Sequence, residues 1–307
     1  MSLKEYTYKQ VEGGDLLASV WYKPGPEEAG KPIALYFHGG NLVLGHKDML
    51  SKVYIEQLLG LGFGAVVSPN YRLAPTISAA EGPVQDAKDS YIWTQTQLPG
   101  FLADDANVHL DGSRIVTLGH SAGGTLALLM ASLPQKPLAI LDIFGLKYFK
   151  DDFYSKPNPA FLKLPASDQA LVDRIYQDVP APSAGPPPMG PKGPDLNNHR
   201  VAWLFAAFKN GTWLSSIVPD GNYSRIDPAA LFGPSFPPTY FLHGTADTLV
   251  DFKFSQRAFE NLKSNGVDTK LVIEEGAPHG FDAGSTPGEH KYALVTEGFK
   301  FLASHAT

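Results

Sequence analysis

Apolar and polar positions along this chain switch between two periods. Residues 5–11 and 16–22 alternate, and Glu12-Gly13-Gly14-Asp15 between them is a turn signal, so a hairpin is predicted first. Short continuous apolar runs follow at 33–37, 64–68, 114–118, 138–143, 239–242 and 269–273. Their shortness and flanking turn residues predict buried strands. Helical spacing occupies 49–61, 83–97, 125–131, 251–265 and 289–303. Strands alternating with helices predict an α/β fold, a mostly parallel central sheet with helices on both faces.

The rhythm stops between Leu146 and Pro238. The expected organisation is therefore a core of residues 1–145 and 236–307 with an inserted cap or lid at 146–235. Within the insertion, the stretch 180–194 holds Pro180, Pro182, Pro186, Pro187, Pro188, Pro191 and Pro194, which excludes helix and central strand. An apolar helix candidate follows at 201–208. A long insertion in a compact domain is commonly functional, so it is read as a lid whose aromatics wall the site.

Composition narrows the partners. The 307 residues suffice for a large core, and 43% hydrophobic with 18% charged residues suits a globular enzyme. A net charge of −6 without a Lys/Arg run argues against nucleic acid or an anionic membrane as partner. The absence of cysteine excludes disulfides, thiolate catalysis and Cys-ligated zinc. The first residues lack the apolar stretch of a signal peptide and no run is long enough to span a bilayer, so a cytoplasmic protein is expected.

Gly119-His120-Ser121-Ala122-Gly123 stands where the strand at 114–118 meets a helix. This G-x-S-x-G pattern puts a serine on a sharp strand-to-helix turn, exposed above the sheet at the positive end of the helix. A serine hydroxyl needs a base. His279, in the loop after the strand at 269–273, is the candidate, because histidine titrates near neutrality. Asp247, after the strand at 239–242, is the candidate orienting acid. Asp251 is better placed to cap the next helix, and Glu274, Glu275 and Asp282 are weaker substitutes. The order Ser121, Asp247, His279 is that of α/β-hydrolases. Gly39 and Gly40, after the strand at 33–37, and the N–H of Ala122 are candidates for an oxyanion hole. His38, His120 and His243 also sit at strand ends, but lack the spacing of a metal site; no metal is expected.

These residues resemble a family, the hormone-sensitive-lipase-like (alpha/beta hydrolase fold-3) branch of the α/β-hydrolases, with a texture similar to its fungal members. The matching stretches are His38-Gly39-Gly40 with Val43-Leu44-Gly45, Asn70-Tyr71-Arg72-Leu73-Ala74-Pro75, Gly119 to Gly124, Pro237-Pro238-Thr239 leading to Gly244 and Asp247, and His279-Gly280-Phe281. They run in order over about residues 33–303, with a poorly matched middle. The resemblance implies a cofactor-free carboxylesterase for short or medium acyl esters, with Ser121 as nucleophile, His279 as base and Asp247 as acid. Gly39, Gly40 and Ala122 would then hold the oxyanion. Three departures stand out. Asn41 replaces the usual third glycine, Thr76 replaces a glutamate and so removes an expected ion pair, and the chain starts on the hairpin where the family has a helical cap.

The reading is thus a serine esterase cleaving a small to medium hydrophobic ester through an acyl-enzyme. Asn41, Trp203, Phe208 and Trp213 are the candidate substrate contacts, joined by Phe205, Tyr148 and Phe149 as lid aromatics. A homodimer through an edge strand or the last helix is compatible with the sequence. Two alternatives stay open: a biosynthetic lyase, dehydratase or cyclase of the same fold, and a ligand receptor without turnover.

Overall fold

The computed structural model describes residues 1–24, 30–190 and 193–306; Pro191, one of the prolines noted above, lies outside them. β1 (Ser2–Val11) and β2 (Gly14–Tyr22) form the hairpin, with Gly13 and Gly14 at positive φ in its turn. β3 (Lys31–Phe37), β4 (Ala65–Pro69), β5 (Leu110–His120), β6 (Ile140–Ile143), β7 (Thr239–Gly244) and β8 (Thr269–Glu274) complete one eight-stranded sheet of order β1-β2-β4-β3-β5-β6-β7-β8. β2 runs antiparallel to β1 and to β4, and every other pair is parallel. All strands from β4 to β8 therefore end at one edge, where loops collect.

Side-chain alternation sorts β3 between two cores. Ile33, Leu35 and Phe37 face one apolar cluster, and Ala34 and Tyr36 the other. The first cluster is closed by α2 (Gln85–Thr96), α3 (Leu98–Ala106), α4 (Ala122–Leu129) and α8 (Lys253–Ser264). The second is closed by α1 (Lys52–Gly60) and α9 (His290–Ala306). This is the mostly parallel sheet with helices on both faces that the periodicity predicts. α3 is an addition: Pro99 reads as a helix stop, but it occupies the first turn of a new helix, where its missing N–H costs nothing.

Between β6 and β7 lie three helices, α5 (Gln169–Asp173), α6 (His199–Asn210) and α7 (Trp213–Ile217). Val201, Leu204, Trp213 and Ile217 join the same apolar cluster as the sheet face beneath them. The described residues of the Pro-rich stretch keep out of helix and of the central sheet and run alongside the loop after β3. Gly45 donates to the Pro186 carbonyl at 2.9 Å, Gly185 donates to Gly45 at 2.8 Å, and Leu73 donates to Pro182 at 2.8 Å. Thr76 ties into the same segment by donating to the Asp178 carbonyl at 2.9 Å.

Arg200, on α6 and buried, fastens this layer down. Its guanidinium donates to the Val43 carbonyl at 3.0 Å, to the Ala74 carbonyl, and to Asp178 at 2.6 Å. Arg200→Met keeps the bulk and removes these donors, leaving two carbonyls unpaired and the partly buried Asp178 with His199 alone. It is expected to lower unfolding free energy by about 3 kcal/mol in urea titrations; an unchanged midpoint would refute the fastening role.

Candidate active site

β5 passes directly into α4 at Ser121, whose φ of 55° and ψ of −125° are a conformation that L-residues adopt only under constraint. The constraint is crowding. A Cβ on Gly123 would sit 1.9 Å from the Phe37 carbonyl oxygen, and one on Gly119 would sit 2.2 Å from Gly123. The turn therefore lies flush against the end of β3. Ser121 is held there by its N–H donating to Ile143 at 2.8 Å, while its carbonyl accepts from Gly124 at 2.8 Å.

The loop after β3 approaches from the other side. A Cβ on Gly39 would lie 3.3 Å from the Ser121 Cβ, so this loop and the serine share one space. Gly40 has φ +116°, and a Cβ there would meet the Leu44 carbonyl at 2.2 Å. Asn41 follows at φ 55°, a left-handed conformation that asparagine tolerates, which accounts for its standing in place of a glycine. Among the described residues, the N–H groups of Gly39, Gly40 and Ala122 are committed to no protein acceptor. Most of the loop's carbonyls, by contrast, are taken up. Gly40 accepts from Val43 and Leu44, Asn41 from the Trp213 indole at 3.2 Å, Leu42 from Ala74, Val43 from Arg200 and Gly45 from Gly185.

Asp247 and His279 meet beyond the ends of β7 and β8. His279 Nδ1 donates to Asp247 Oδ2 at 2.7 Å. Asp247 Oδ1 accepts from the N–H groups of Leu249 and Val250 at 2.8 and 2.9 Å, and Oδ2 also receives His243 Nε2 at 3.1 Å. Burial alone would raise the proton affinity of this carboxyl, but the hydrogen bonds from His243 and His279 outweigh it and hold the pKa well below the usual carboxylate range. The His279 ring lies 4.6 Å from that of Phe144, the residue after Ile143, which binds the Ser121 backbone. Among the described residues no hydrogen bond links the Ser121 hydroxyl to His279. Asp251 caps α8 by accepting from Lys253 at 3.0 Å.

The other strand-end histidines do not converge. His38 is buried, stacks on Tyr71 with ring centroids 4.1 Å apart, and donates to Gly39 O at 2.8 Å. Burial pushes its pKa down to about 3, against that hydrogen bond, so it stays neutral. His120 binds Asp282 at 2.8 Å. No group of three or more His, Asp or Glu with the geometry of a metal site occurs among the described residues.

Of the candidate substrate contacts, Asn41, Phe208 and Trp213 border one small cavity of ≈ 20 Å³ together with Leu146, Tyr154 and Leu249. Trp203 stands apart. It is buried on α6, with its indole N–H given to Tyr176 at 3.1 Å. Sequence reasoning missed Arg200, Ser255 and Lys147, and noted His243 only as a strand-end histidine without the spacing of a metal site. The available signal for Lys147 was a lone charge inside the apolar run 143–149.

Residues 34–149 match a family profile described as alpha/beta hydrolase fold. Two fungal proteins align with 97% of the chain: the non-reducing polyketide synthase ausA of Emericella nidulans at 29% identity, and prhL, of the same description, from Penicillium brasilianum at 30%. The chain spans about one seventh (14%) of the length of these relatives. Among solved structures, a Staphylococcus aureus protein of unknown function superposes with TM-score 0.73 at 18% identity, covering 99% of this chain and 100% of that one. Esterase 2 of Thermogutta terrifontis, in a form phosphorylated by paraoxon, superposes with TM-score 0.65 at 19% identity, covering 98% and 94%. Among the described residues, no helix is long and apolar enough to cross a membrane.

Because the folded pKa of Asp247 lies below its unfolded value of about 3.9, the stability it contributes is complete above that value and is lost as pH falls below it. Asp247→Asn is expected to flatten the acid-side decline of the thermal midpoint below about pH 4. A decline as steep as in the wild type would show that other carboxylates carry it.

Proposed function

We propose that this member of the α/β-hydrolase superfamily is a serine hydrolase that cleaves hydrophobic acyl esters through an acyl-enzyme. The observation that carries this reading is the meeting, at one edge of the sheet, of a positive-φ serine, a loop with uncommitted N–H groups and an Asp–His pair. Ser121 Oγ attacks the carbonyl carbon, and its proton passes to His279 Nε2. Asp247, ionised and fixed by four donors, holds the proton on His279 Nδ1 so that Nε2 is free to accept. Hydrogen bonds of this kind are often long without substrate and tighten in the complex. The developing oxyanion faces Gly39, Gly40 and Ala122, each donor being worth about 3 kcal/mol in the transition state. His279 then protonates the leaving alkoxide. Water, deprotonated by His279, attacks the acyl-enzyme, and the carboxylic acid leaves as Ser121 regains its proton.

A second electrophile is favoured by the synthases that align with nearly the whole chain. The same attack on a carrier-bound acyl thioester would release a polyketide acyl group. The insertion at 146–235 is the cover of either site, and the chain acts on a small molecule without a cofactor.

Ser121→Ala is expected to lower kcat/KM by about four orders of magnitude or more on nitrophenyl esters and on acyl thioesters of a small thiol. Wild-type turnover in that variant would exclude Ser121 as nucleophile. Labelled water separates the chemistries: hydrolysis puts one solvent oxygen into the acid, whereas elimination or cyclisation puts in none.

A further inference from the structure

Behind Asp247 lies a buried polar chain that the reaction above does not use. Lys147, wholly buried, donates to the Gly145 carbonyl at 2.6 Å and to Ser255 Oγ at 3.0 Å, and forms an ion pair with Asp142 Oδ2 at 2.8 Å. Asp142 is itself anchored by the Gly145 N–H at 2.8 Å. With Lys147 donating to it, Ser255 must spend its single proton elsewhere, and the next polar atom is His243 Nδ1 at 2.8 Å. His243 Nδ1 is therefore an acceptor, and the ring proton sits on Nε2. There it faces two atoms that only accept, Asp247 Oδ2 at 3.1 Å and the Val250 carbonyl at 3.0 Å. The direction of every bond from Asp142 to Asp247 thus follows from one ammonium group.

We infer that His243 is a positioning residue: locked by Lys147 and Ser255 as the neutral Nε2–H form, it shares Asp247 Oδ2 with His279 and thereby restrains how strongly the carboxylate attracts a proton onto His279. A carboxylate oxygen that serves two donors gives less of its charge to each. Without His243, the same oxygen would bind His279 alone and favour its imidazolium more strongly. The other charged pairs nearby stay in place under such a change. They are His120–Asp282 beyond the Phe144 ring, Asp142–Lys147, and Glu274–His290 at the end of β8.

The inference rests on Asp247 and His279 forming the working pair, so its test reads imidazole titration and not turnover; a protein inert toward every ester leaves it intact. In the wild-type chain with ¹⁵N-labelled histidines, one buried ring is expected to carry its proton on Nε2 and to hold that state between about pH 5 and 8. In His243→Phe the titration midpoint of His279 is expected to rise by about one pH unit, and His243→Gln, which keeps a donor near Oδ2, to return it toward the wild-type value. Ser255→Ala is expected to release the tautomer, seen as mixed ¹⁵N states of His243. A His243 that titrates in the wild type, or carries its proton on Nδ1, overturns the inference even if no variant folds. So does an unmoved His279 midpoint in a folded His243→Phe.

Discussion

The backbone angle at Ser121 is the constraint on which the surrounding architecture depends. A left-handed φ with extended ψ costs an L-residue about 1–3 kcal/mol, so it persists only where neighbours leave no alternative. Here the turn is wedged between the ends of β3 and β6, with glycines at 119 and 123 where a Cβ would collide with backbone. The hydrogen bonds from Ser121 to Ile143 and from Gly124 to Ser121 offset part of that cost. The same wedging brings the N–H of Ala122 and the Gly39–Gly40 loop to one side of the serine. Strain and donor placement are thus two results of one close crossing, which leaves Ser121 itself buried where the sequence suggested exposure.

The buried charges beneath the sheet edge are paired. Lys147 and Asp142 are completely buried, yet the ammonium has two hydrogen-bond acceptors and forms an ion pair with the carboxylate, which also accepts from a backbone N–H. Such a pair adds little net stability compared with apolar residues, because desolvation cancels most of the attraction. What it adds is direction, since a cation can only donate. Asp247 shows the complementary case, a carboxylate whose two oxygens receive four donors and which is fixed in charge and orientation.

The sheet and its covering helices were legible because each core strand is a short apolar run bounded by turn residues, and because residues 121, 247 and 279 follow such runs. Local composition carries that information. It carries less about the start of α3, where Pro99 marks a beginning and not an end. It carries none about pairings remote in sequence: nothing near His243 announces Lys147, and nothing near Val43 announces Arg200. Trp203 illustrates the limit for aromatics. Its type suits a pocket wall, but which side of α6 it occupies is decided by Tyr176 and the core. Asn41 is the opposite case, since a departure from glycine at a left-handed position points to the residue type that tolerates it.

Arg200 also bears on how molecules reach the serine. Its fork grips the carbonyls of Val43 and Ala74 while the Trp213 indole grips Asn41, so α6 and α7 are bolted to the very loop that lies against Ser121. A roof joined to the floor in this way does not swing as a rigid flap without tearing that loop out of shape. Under the function proposed above, molecules would reach Ser121 through gaps opened by individual side chains and not past a hinged door.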